Sequence, residues 1–185
     1  MDAHRRVKVR CGNKTQAMDP TNFLSGASRE TTIRRDALGR WSQDGQPLDH
    51  PNLIRAFDRW LDRADDGRYC LRNDINWAYI TLEGPPLFVR AVQLEPDGSL
   101  LLSLSNESTE PLAVATLRQG PDGALYCDAR GGSMVARFDR HAMQQLEPVL
   151  KEDETGVYLA LGSERVRPHI VADPLTASAQ PATPP

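Results

Sequence analysis

The sequence predicts an α+β fold built from two similar small halves, each of antiparallel strands with one helix. Three observations predict it. Asp-Gly pairs recur at Asp44-Gly45, Asp66-Gly67, Asp97-Gly98 and Asp122-Gly123, the last two preceded by Pro96 and Pro121. Pro presets such a turn and Gly supplies the positive φ, so this punctuation implies hairpins. Short alternating runs flank the turns, and only two stretches keep a helical period instead. With 185 residues, 39% of them hydrophobic and 25% charged, the chain can bury a real core.

In chain order, a hairpin is expected from Ile33 to Leu48, containing Trp41. A helix follows, with Asp49 or His50 as N-cap and Pro51 in its first turn. Leu53, Ile54, Phe57, Trp60, Leu61 and Ala64 make its apolar stripe, and Arg55, Asp58, Arg59, Asp62 and Arg63 lie on the other side. Strands are then expected over 68–72, 77–82, 87–94, 99–105, 112–117 and 125–130, with a second hairpin from Leu125 to Phe138 turning at Gly131-Gly132. Asp139 caps a second helix carrying Met143, Leu146 and Leu150, which Pro148 should kink or shorten. An offset of 89 residues lays Leu61 on Leu150, Gly67 on Gly156, Tyr69 on Tyr158 and Leu71 on Ala160. Each copy reads as helix, acidic tight turn and aromatic-led strand, which points to duplication.

Charge is uneven. Of 22 Lys/Arg and 25 Asp/Glu, five bases (Arg5, Arg6, Lys8, Arg10 and Lys14) and one acid (Asp2) fall in residues 1–17, which leaves the remainder at −7. Such an acidic body argues against duplex DNA and anionic bilayers as bulk partners, so an anion would need a local cluster. Residues 1–29 read as a disordered basic leader, and a start at Met18 would remove much of it. The leader lacks the apolar stretch of a secretory signal, and no apolar run is long enough for a transmembrane helix. Residues 173–185, rich in Pro, Ala, Thr and Ser, read as a disordered tail. Between the ends lie an N-terminal half over 30–83 and a β-rich C-terminal half over 84–172. Three cysteines, Cys11, Cys70 and Cys127, without CxxC spacing fit a reducing cytoplasm.

The residues that carry these features resemble a known family. Ile33, Asp36, Gly39, Trp41, Gly45 and Pro47-Leu48 begin the match, followed by Leu53-Ile54, Phe57, Leu61, Asp66-Gly67, Tyr69 and Leu71. Leu82-Glu83-Gly84-Pro85-Pro86-Leu87-Phe88 and then Tyr126, Arg130-Gly131-Gly132, Ala136-Arg137, Arg140 and Leu146 complete it. Over about residues 30 to 171 the chain resembles the bacterial domain-of-unknown-function 1285 family. It departs from the pattern at Asn73-Asp74-Ile75-Asn76 and at Gly162-Ser163-Glu164-Arg165. The resemblance implies a duplicated α+β core, a second half like a pleckstrin-homology barrel, a small-molecule or nucleotide-like ligand where the halves meet, and no catalysis.

The residues themselves show no enzyme chemistry. His4, His50, His141 and His169 lack metal-ligand spacing, Cys70 and Cys127 alternate with apolar neighbours as buried strand residues do, and no nucleophile elbow, Walker loop or dinucleotide fingerprint is present. Neither a metal nor a cofactor is therefore expected. One constellation stands out: Asp128, Arg130, Gly131, Gly132 and Ser133, followed by Arg137 and Arg140. A Gly-Gly pair lets backbone N–H groups approach an anion, and guanidiniums can grip phosphate or carboxylate. The competing reading is a hairpin turn with Arg130 paired to Asp128 or to a carboxylate across the interface. Tyr69 and Trp77 are either core between the halves or a platform for stacking a base. Two functions follow. One is a regulatory module, a sensor or adaptor in signal transduction, whose anionic or nucleotide-like ligand meets Arg130, Gly131, Gly132, Arg137, Arg140, Tyr69 and Trp77. The other is a protein-interaction module that uses a sheet edge or groove and holds no small molecule.

Overall fold

The computed structural model describes residues 29–176; the expected leader up to residue 28 and the tail beyond 176 lie outside the described residues. The fold is α+β and mostly sheet. In chain order the elements are β1 (Glu30–Arg35), β2 (Trp41–Gln43), β3 (Gln46–Pro47), α1 (Pro51–Trp60), β4 (Leu61–Arg63), β5 (Tyr69–Arg72) and β6 (Trp77–Leu82). Then come β7 (Leu87–Leu94), β8 (Leu100–Leu104), β9 (Thr109–Pro111), a 3₁₀ turn at Val114–Thr116, β10 (Arg118–Gln119), β11 (Leu125–Ala129) and β12 (Met134–Phe138). The last are α2 (Arg140–Leu146), β13 (Leu150–Asp153), β14 (Gly156–Leu161), β15 (Glu164–Val166) and β16 (His169–Ile170).

Strands up to residue 82 form one sheet in the order β3-β2-β1-β6-β5-β4, and a second runs β16-β10-β11-β12-β7-β8-β9. β13, β14 and β15 pair only with one another. All three sheets are open where a closed barrel was expected over 84–172. At one edge of the second sheet the reason is local: β9 is three residues long and contains Pro111, which has no N–H to continue a ladder. Most pairs are antiparallel, but β1 with β6, β12 with β7 and β10 with β16 are parallel. Such pairings join strands far apart in sequence and leave no turn signal to read.

α1 begins after His50 with Pro51 in its first turn, and it ends at Trp60, a turn earlier than its stripe suggested. Leu61 stays buried by starting β4. Asp58 was expected on the polar face, yet it is buried: its Oδ1 accepts from Trp41 Nε1 at 2.9 Å and lies 3.0 Å from Arg35 Nη2. Arg35 is itself 0% exposed and donates from Nη1 to the Pro86 carbonyl at 2.6 Å. Burial pushes the Asp58 carboxyl above its ordinary range, with Arg35 the largest opposing influence. A pair so placed is costly to break, because either partner alone would be a buried charge.

α2 starts where Asp139 accepts from the Ala142 N–H at 2.9 Å. Pro148 shortens it, so Leu150 falls in β13. The expected strand over 112–117 is instead an irregular segment with the 3₁₀ turn. Two hydrophobic clusters form, one around Ile33, Trp41, Leu53, Phe57, Leu61 and Leu71, the other around Leu87, Leu102, Leu125, Phe138, Leu146 and Leu159. Between them the Phe88 ring packs on Gly39, where a Cβ would stand 2.7 Å from it, and its centroid lies 5.0 Å from the Arg35 guanidinium carbon. Of the tail expected from 173, the described residues 173–176 are anchored: Pro174 is buried, and its carbonyl accepts from the buried Arg118 Nε at 2.9 Å.

Candidate functional site

The β11–β12 hairpin turns through Arg130, Gly131 and Gly132, whose φ values are 52°, 65° and 88°. Glycine adopts such backbone freely, but arginine pays about 1–2 kcal/mol for it unless its surroundings hold it there. The holding group is Glu110, on edge strand β9, whose two carboxylate oxygens each accept from the Arg130 N–H at 3.1 Å. The side chain of Arg130 runs the other way. Its Nη1 donates to the Leu61 carbonyl of β4 at 3.0 Å and stands 3.4 Å from Asp62 Oδ1. Of the pairings weighed from sequence, the cross-interface carboxylate is the one observed.

Asp128 belongs to a different arginine. Its Oδ1 accepts from Arg118 Nη1 at 2.7 Å, and Arg118 also donates from Nη1 to the Thr116 carbonyl. Between the 110–116 segment and the hairpin lies a groove of about 440 Å³ lined by Glu110, Pro111, Ala113, Ala115, Thr116, Asp128, Gly131 and Gly132. Its walls are methyl groups, a proline ring and open glycines, and its charged groups are two carboxylates. Such a lining repels an anion and suits a cation with a hydrocarbon stem.

The other expected residues do not gather here. Arg137 sits five residues beyond the turn and donates to Asp122 Oδ2 at 2.9 Å. Arg140 is exposed at the start of α2. Tyr69 and Trp77 are half-buried on the first sheet, in strands whose register turns them to opposite faces. The Tyr69 hydroxyl accepts from Arg63 Nη2 at 2.9 Å, while Trp77 stands edge-on to Tyr79 at 4.9 Å with the Arg29 guanidinium over its ring. So the seven residues split: Gly131 and Gly132 line the groove, Arg130 stands beside them in the same turn with its side chain on Leu61 and Asp62, and Arg137, Arg140, Tyr69 and Trp77 lie elsewhere. Glu110, Pro111, Ala113, Ala115 and Thr116 are the residues that sequence reasoning missed. A proline just ahead of the strand expected over 112–117 was the signal available, since Pro111 marks an edge.

Chemistry at the thiols is suppressed: burial pushes Cys127 up to about 12 and raises Cys70 as well. Among the described residues no group of three His, Cys, Asp or Glu is placed to hold a metal ion, and no helix is long and apolar enough to cross a membrane.

No family model and no curated protein matches the chain. Solved structures do. A DUF1285 family protein from Silicibacter pomeroyi DSS-3 is similar with a TM-score of 0.56 at 19% identity, covering 82% of this chain and 87% of that one. A DUF1285 family protein from Shewanella baltica OS155 is similar with a TM-score of 0.49 at 21% identity, over 61% of this chain and 87% of that one. The first of these likenesses shows a shared fold.

Proposed function

We propose that the chain is a non-catalytic protein-interaction module whose working surface is the groove beside β9, and that it takes an arginine or lysine side chain of a partner. One observation carries this reading: the arginines Arg130 and Arg137 are already paired with groups of the chain itself, while the groove beside them presents Glu110 and Asp128. Oδ1 of Asp128 is engaged by Arg118, which leaves Oδ2 for an incoming donor. The methyl groups of Ala113 and Ala115 and the Pro111 ring would cover the partner's methylenes. In this reading residues 84–172 serve as a pleckstrin-like unit, a mostly antiparallel sheet with α2 packed on β7. The anionic-ligand reading would need Arg137 and Arg140 to leave their present surroundings and cross to the hairpin turn.

The test is a titration with acetyl-Ala-Ala-Arg-Ala-Ala-amide and with its citrulline counterpart, which keeps the shape and loses the charge. The arginine peptide should bind and the citrulline peptide should not. Glu110→Gln, which keeps an acceptor for the Arg130 N–H, should weaken binding roughly tenfold, about 1.4 kcal/mol. Equal binding of both peptides, or of neither, would refute the reading.

A further inference from the structure

Arg130 touches two sheet edges at once. β9 ends the second sheet and β4 ends the first, and both edges are bound to this one residue: Glu110 of β9 holds its backbone N–H, and its guanidinium covers the Leu61 carbonyl of β4 beside Asp62. Arg130 keeps its left-handed backbone at φ 52°, held by the Glu110 carboxylate on its N–H together with the turn's own bonds from Ser133 to its carbonyl, so the carboxylate is one of the groups that fix where the guanidinium starts. A cation entering the groove competes for the same carboxylate. Resting on the groove reading above, we infer that occupation of the groove is transmitted through Glu110 and Arg130 to edge strand β4, so that a bound partner frees the Leu61–Arg63 edge of the first sheet.

Neighbouring contacts permit such a release. The other ion pairs across this side, Arg55 and Arg59 with Glu107, are about half exposed and lie 3.2 and 3.6 Å apart. Pairs of that kind contribute little and are screened by salt. The Arg35 bond to the Pro86 carbonyl and the Phe88 contact with Gly39 sit elsewhere and would keep the two sheets together.

Hydrogen exchange of the full chain tests the coupling without a ligand. Arg130→Ala and Glu110→Ala should each speed exchange in residues 60–64 by a factor of about three to five, as loss of a partly exposed tie implies. The double variant should add nothing further, Glu110→Gln should stay at the wild-type rate, and residues 157–161 should be unchanged in all. Wild-type exchange at 60–64 after Glu110→Ala, or an equal rise after Glu110→Gln, would overturn the inference. So would additive single effects. With the arginine peptide bound to the unmutated chain, residues 60–64 should likewise exchange faster. Binding without that change sinks the coupling and leaves the groove reading standing; absence of binding sinks the groove reading, and the coupling is then decided by the variants alone.

Discussion

Two stretches of the molecule run through the same local sequence of elements and end in different places. In the first, α1 leads into the meander β4–β5–β6; in the second, α2 leads into β13–β14–β15. The offset of 89 residues lays β4 on β13 and β5 on β14, and it pairs Phe57 with Leu146, each 0% exposed. Yet β6 docks in parallel on β1 and enlarges a six-stranded sheet, whereas β15 ends a sheet of three. The difference lies outside the repeated unit. Arg35 reaches from β1 to Asp58 of α1 and ties the first helix to the strand on which β6 docks, while the second region places its buried arginine, Arg118, on β10 and pairs it with β11. Local residues therefore make the unit, and long-range pins decide how it joins the rest.

Core truncations should break the two units separately and most severely. Phe57→Ala removes a side chain packed edge-on to Trp41 at 5.3 Å and should cost about 3–5 kcal/mol, with Leu146→Ala at about 2–5 kcal/mol. Urea melts give the totals, and hydrogen exchange should show the first loss concentrated at 30–82 and the second at 87–161. A uniform loss in both variants would merge the regions into one cooperative core.

Asp58→Ala should follow, at about 3–5 kcal/mol, because it strands a buried guanidinium. Replacing both partners, with Arg35→Met and Asp58→Leu together, should recover much of that loss. A double variant no better than Asp58→Ala would show that the hydrogen bonds to Pro86 and Trp41, rather than the charge pair, hold the joint.

The smallest effect separates the acidic turns. The Tyr79 hydroxyl and Arg68 hold the Asp66 carboxyl down at about 2, below its ordinary 3.8, and Arg167 with Thr155 depresses Asp153 in the second unit. A carboxyl whose folded pKa lies below its unfolded one adds stability that is complete above about pH 4 and is lost as pH falls toward 2. Asp66→Asn should flatten the Tm slope in that window for the first unit, and Asp153→Asn for the second. An unchanged acid limb in either variant would deny that turn its contribution.

Legibility in the sequence followed the range of the interactions. β6 and β7 coincide with the alternating runs over 77–82 and 87–94, and the Asp-Gly turns stand where they were read, because those signals are local. Asp58 was misread since its partner lies 23 residues upstream on strand β1, outside the helix, and the parallel joins leave no punctuation. The resemblance noted from the residues agrees with the fold shared with the Silicibacter protein. At the site, Gly131-Gly132 announced the hairpin, but a lone glutamate before a proline announced nothing. Glu110 gains its role only where folding brings it under the Arg130 N–H.

The central claim is that the groove beside β9 receives a cation, and backbone amide chemical-shift mapping of the full chain tests it directly. With acetyl-Ala-Ala-Arg-Ala-Ala-amide, shifts should cluster at residues 110–116 and 128–132, while a nucleoside diphosphate should leave those amides in place. Shifts gathered by the nucleotide around Arg137 and Arg140, with none from the peptide at Glu110, would contradict it.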